Sequence, residues 1–89
     1  MQTVLIIDDS RAFQKAIQNI LSQHFQVVGV AKSGEEGIEL FQKCNPQLVL
    51  LDITMPNLSG KECLQRLMEI NRDALVIMIS GVGDSQTIQ

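Results

Sequence analysis

The residue order of this chain predicts a single α/β domain built on a parallel sheet. Three observations carry that reading. Short runs rich in Val, Ile and Leu alternate with amphipathic stretches of helical length. Two of the runs, Val4 to Ile7 and Leu48 to Leu51, break off directly in aspartates. The connections are only a few residues long, and alternating strands and helices joined this way imply right-handed crossovers and a sheet covered on both faces.

The 89 residues make at most one small domain, spanning 1–89, and a chain of this size buries only roughly 60 to 70% of its extended surface. An apolar fraction of 45% and a charged fraction of 19% fit a folded chain. The only aromatics are three Phe, so Leu, Ile, Val and Met must fill the core. Net charge is −3 and no Lys/Arg cluster occurs, which argues against direct nucleic-acid binding, since that depends on neutralising phosphates. Cys44 and Cys63 stand apart and form no C-x-x-C pair, so they read as core or half-buried thiols rather than zinc ligands or a redox pair. The first apolar run is cut short by Asp8-Asp9 and has no basic region before it. It is therefore neither a signal peptide nor a membrane span, and a cytoplasmic setting is the expectation.

Taken in order, Thr3 to Ile7 is the first strand, ending in Asp8 and Asp9. Asp9 or Ser10 caps a helix whose Phe13, Ile17, Ile20 and Leu21 form one stripe facing a sheet, with its end near Gln23 to Phe25. His24 falls at that end and reads as a surface residue. Val27 to Ala31 is the second strand, and Ser33-Gly34-Glu35-Glu36 is a capping box opening a helix through Ile38, Phe41 and Cys44. Asn45-Pro46 stops it. The third strand runs from Leu48 to Leu51 and delivers Asp52 to its end, before a turn through Pro56 and Gly60. Cys63, Leu67 and Ile70 share a face of the next helix, Arg72-Asp73 turns the chain back, and Ala74 to Ile79 is the fourth strand, ending in Ser80. The order is β-α-β-α-β-α-β, without internal repeats.

In open parallel sheets, ligands bind beyond the carboxyl ends of the strands. Asp8, Asp9 and Asp52 converge there if the first and third strands are neighbours. At an effective dielectric of about 20, each carboxylate pair some 4 Å apart costs on the order of 4 kcal/mol, so either a pKa rises or a cation sits among them. Oxygen-only ligation favours Mg²⁺, which takes one or two carboxylates together with waters and phosphate. Ser80, at the same edge, either donates to a phosphoryl oxygen or simply closes the strand and starts a turn.

Ile7-Asp8-Asp9-Ser10, Pro46-Gln47-Leu48-Val49, Leu50-Leu51-Asp52-Ile53-Thr54-Met55-Pro56 with Gly60 behind it, and Ile79-Ser80-Gly81 together resemble the receiver domain of two-component response regulators of the chemotaxis-regulator kind. The resemblance runs from residue 2 to the end of the chain. It implies a flavodoxin-like doubly wound parallel sheet, here incomplete, and a phosphoacceptor module whose partner is a sensor histidine kinase or phosphotransfer protein. It further implies that Asp52 takes the phosphoryl group and that Asp9, Asp52 and the Thr54 backbone carbonyl ligate Mg²⁺, with Asp8 acting through water. Ser80 is then the switch hydroxyl. Such a module catalyses at most its own phosphoryl transfer and dephosphorylation.

Receiver domains continue through a fourth helix, a fifth strand ending in a lysine and a fifth helix, whereas this chain ends at Gln89. None of Lys15, Lys32, Lys43 or Lys61 lies at a predicted strand end. The expectation is a fragment of a longer receiver or a chain completed in trans, with the bare edge of the fourth strand inviting self-association. The alternative function is a pseudo-receiver that binds partners without phosphate. A haloacid-dehalogenase-type phosphatase would carry a second acid where Thr54 stands, and a dinucleotide-binding turn would carry glycines where Asp8-Asp9-Ser10-Arg11 stands.

Overall fold

The computed structural model describes residues 1–52 and 60–79. Its elements follow the expected order: β1 (Thr3–Ile7), α1 (Arg11–Leu21), β2 (Gln26–Ala31), α2 (Gly34–Cys44), β3 (Leu48–Asp52), α3 (Gly60–Ile70) and β4 (Leu75–Ile79). All pairings are parallel, in the strand order β2-β1-β3-β4. This is the flavodoxin-like order, and its switch point falls between β1 and β3, where successive connections leave the sheet in opposite directions.

Side chains alternate across a strand, so β1 feeds two faces. Leu5 and Ile7 join Ala31, Phe41, Val49, Leu51, Cys63 and Leu67 in the core beneath α2 and α3, which pack against each other. Val4 and Ile6 point to the opposite face, and they too are buried. Both central strands therefore read as near-continuous apolar runs because both of their faces are covered.

Local chemistry sets the helix ends. The Ser10 hydroxyl accepts from the Phe13 N–H at 3.3 Å and the Ser33 hydroxyl from the Glu36 N–H at 3.1 Å, each the N-cap of its helix. The capping box differs from expectation in one bond, since the Glu36 carboxylate accepts from the Lys32 N–H at 2.8 Å rather than from Ser33. Asn45 ends α2 in the left-handed region at φ 48°, a conformation asparagine tolerates, and its N–H returns to the Phe41 carbonyl at 2.9 Å. Gly37 allows α2 to sit close on β1, because a Cβ there would stand 2.5 Å from the Ile7 Cδ1.

Three expectations need correction. α1 ends at Leu21, with the chain turning through His24 and Phe25 by bonds to the Leu21 carbonyl. Ile20, assigned to the stripe facing the sheet, is 59% exposed, and no residue of α1 is buried. Periodicity selects the residues that share a helix face, but the sheet beneath α1 covers only part of that face. Ile70 is likewise 40% exposed, being the last residue of α3, where the chain leaves the sheet for the Arg72-Asp73 turn. Among the described residues no strand lies on the outer side of β4, and Leu75 is 61% exposed and Ile77 43%. No helix of the described residues is long and apolar enough to cross a membrane.

Candidate functional site

The pairing of β1 with β3 builds the site. Ile7 lies opposite Leu51, so the residues that follow, Asp8 and Asp52, emerge side by side at the carboxyl edge. Carboxylate oxygens of Asp8, Asp9 and Asp52 lie within 4.8 Å of one another. Asp8 and Asp52 are each 2% exposed, while Asp9 faces solvent. The cluster therefore has a buried floor of two acids and one open side.

Hydrogen bonds hold the Asp8 end in place. Its N–H donates to the Ala31 carbonyl at 2.9 Å, and its Oδ1 accepts from the Ser10 N–H at 2.8 Å. The Gln14 side-chain amide, on α1, donates to the Asp8 carbonyl and, at 3.3 Å, to the Ala31 carbonyl. Burial pushes the Asp8 carboxyl above its ordinary pKa, against the lowering effect of the Ser10 N–H. The neighbouring charges of Asp52 and Asp9, and a hydrogen bond shared with Asp52, push it the same way. Burial first, and the crowding of the three acids second, thus work against the charged form of Asp8. Oxygen donors alone, buried on one side and open on the other, suit a hard divalent cation such as Mg²⁺.

The model of the response regulator receiver domain family matches residues 4–89. The chain belongs to this family. Among relatives of this receiver domain, the chemotaxis protein CheY of Treponema pallidum is 35% identical over 89 residues, a stretch covering 97% of this chain and 62% of the relative. The chain thus spans less than two thirds of that protein's length. The response regulator domain of Thermotoga maritima CheB superposes with a TM-score of 0.84 at 34% identity, covering 99% of this chain and 69% of that one. The Borrelia burgdorferi CheX–CheY–BeF3–Mg²⁺ complex matches with a TM-score of 0.78 at 38% identity, covering 98% and 67% respectively.

Of the site residues expected from the sequence, the receiver fold brings Asp8, Asp9 and Asp52 together. Thr54 and Ser80 lie outside the described residues. Ile79, the residue before Ser80, is the register partner of Asp52 on β4. Lys32, expected away from any strand end, directly follows β2 at the edge that carries the acids, because Ala31 pairs with Ile7. Gln14 was not expected in the site at all. Its one available signal is angular: at 100° per residue it falls beside Leu21 on the rim of the α1 stripe, where a half-buried polar side chain can reach the strand ends.

Proposed function

We propose that this receiver domain takes a phosphoryl group from a phosphohistidine onto Asp52, acting in the cytoplasm as the target of a sensor histidine kinase or phosphotransfer protein. The observation that supports this most is the convergence of Asp8, Asp9 and Asp52 at the β1/β3 switch point. Asp9, Asp52 and the Thr54 carbonyl would hold Mg²⁺, with Asp8 acting through water. Bound there, the ion supplies charge neutralisation for the incoming phosphoryl oxygens.

The chain's own residues supply position. Asp52, at the last position of β3 and 2% exposed, is held by the sheet so that a carboxylate oxygen can approach phosphorus in line. The new O–P bond forms as the P–N bond to the donor imidazole breaks, and the imidazole nitrogen keeps the electron pair. A carboxylate is a weak nucleophile, but loose phosphoryl transfer asks mainly for alignment and neutralised charge. The similar Borrelia CheX–CheY structure is a complex with BeF3 and Mg²⁺, which supports this reading. Ser80 would then meet the aspartyl phosphate, whose roughly −1.5 to −2 charges would bias the residues that follow it.

The test is transfer from a phosphorylated histidine protein to this chain. The label is expected to be cleaved by hydroxylamine, as an acyl phosphate is, and to be missing in Asp52→Asn. Uptake that survives this substitution would remove Asp52 as acceptor.

A further inference from the structure

The geometry points to Gln14 as a positioning residue for Asp9, acting through the peptide that joins Asp8 to Asp9. The inference rests on the reading of the acid cluster as a cation site. Gln14 lies in the first turns of α1, its own N–H closing onto the Ser10 carbonyl at 2.9 Å. Its side chain reaches back to two carbonyl oxygens, those of Asp8 and Ala31, at the ends of β1 and β2. Carbonyls only accept, so the end of the side chain that meets them must be the NH2. Both of its donors are thereby used on backbone, tying one helix to two strands.

The consequence falls on the residue after Asp8. A peptide group is planar, so fixing the direction of the Asp8 carbonyl fixes the plane that carries the Asp9 nitrogen, and with it the starting point of the Asp9 side chain. Asp8 itself has independent restraints, through its N–H to Ala31 and its carboxylate to Ser10. Asp9 has none of these. It is exposed, and among the described residues no hydrogen bond holds its carboxylate. The Asp8 Oδ1 bond to the Ser10 N–H already closes a ring across the Asp8–Asp9 peptide, and the Gln14 clamp adds the direct restraint on the carbonyl that sets the plane aiming Asp9 at the other two acids.

The test is calorimetric titration of the metal-free chain with MgCl2, using wild type, Gln14→Met, Gln14→Leu, Gln14→Arg and Asp9→Asn, with amide NMR spectra recorded before metal is added. Met and Leu keep the bulk without donors. Arg keeps a fork of donors and no acceptor. Gln14→Met is expected to bind Mg²⁺ about tenfold more weakly, the usual scale for an outer-shell partner. Its Asp9 amide resonance should shift while its melting temperature stays close to wild type, and Gln14→Arg should return the resonance toward its wild-type position, its added charge holding Mg²⁺ affinity down. Gln14→Leu carries the comparison if Gln14→Met does not fold. Donor-free variants that bind Mg²⁺ like wild type, with an unmoved Asp9 amide, would overturn the clamp while Asp9→Asn still shows the site to be real. A wild-type chain that takes up no Mg²⁺ would overturn the cation reading and the clamp together.

Discussion

Asp8 and Asp52 stand side by side at the ends of β1 and β3, each 2% exposed, with carboxylate oxygens within 4.8 Å of each other. Burial beside a second acid makes Asp8 harder to ionise than a carboxyl in water. The folded-state pKa of Asp8 lies above its ordinary value of 3.8, chiefly through burial. The folded chain therefore binds more protons than the unfolded one between those two values. Without divalent cations, stability is present below 3.8 and falls as pH rises through the raised pKa. Thermal melts between about pH 4 and 8 should show this decline. Asp8→Asn, which can still accept from the Ser10 N–H, should flatten it and raise the metal-free melting temperature at neutral pH. A wild-type profile that rises over this range would contradict the assignment.

Cation binding should carry the opposite dependence. Mg²⁺ competes with protonation of Asp8, so its affinity should fall as pH drops through the raised pKa. Added Mg²⁺ should raise the melting temperature at neutral pH, by the usual linkage to ligand concentration, and have little effect in acid. Equal Mg²⁺ stabilisation at both ends of the range would count against the raised Asp8 pKa.

Ile7 and Gly37 give a prediction on the other side of β1. Replacing a helical glycine by alanine normally stabilises by about 1 kcal/mol. Here the new Cβ would stand 2.5 Å from the Ile7 Cδ1, so the sign should reverse. Overpacking of this kind costs about 1–3 kcal/mol, which urea denaturation would measure. Because the clash is with one side chain, and Ile7→Val removes the Cδ1 at 2.5 Å but keeps a Cγ1 at 2.8 Å, that change should recover only part of the loss, as non-additivity in a double-mutant cycle.

Cys63 should be chemically silent in the folded chain. It is fully buried, and burial pushes its thiol up to about 11. Thiol reagents near neutral pH should label it only after denaturation, while the half-buried Cys44 reacts first. Its neighbour in the same core, Leu67, should cost about 2–5 kcal/mol when cut to alanine. Labelling of Cys63 as fast as Cys44 in the native chain would mean that α3 does not seal this core.

Much of this was legible in the residue order, for reasons that can be stated residue by residue. Strands ending in Asp8 and Asp52 announce themselves because a doubly covered strand must be apolar and its end need not be. Ser33 and Asn45 mark the ends of α2 by their cap chemistry. What periodicity could not supply is how far each face is covered, hence the exposed Ile20 and Ile70. The partner of Glu36 was displaced by one residue, to Lys32, because a side-chain carboxylate can serve either N–H near the helix entry. Gln14 escaped because its partners are backbone carbonyls at two strand ends, which only the β2-β1-β3 order brings within reach of α1.

The most direct test of the central claim is the intact mass of the purified chain before and after incubation with Mg²⁺ and a small acyl phosphate, alongside Asp52→Asn. A gain of one phosphoryl group in the wild type and none in the variant is the expected result. The same gain in both would place the phosphoryl group elsewhere, and no gain in a wild-type chain that binds Mg²⁺ would contradict the role of Asp52 as phosphoacceptor.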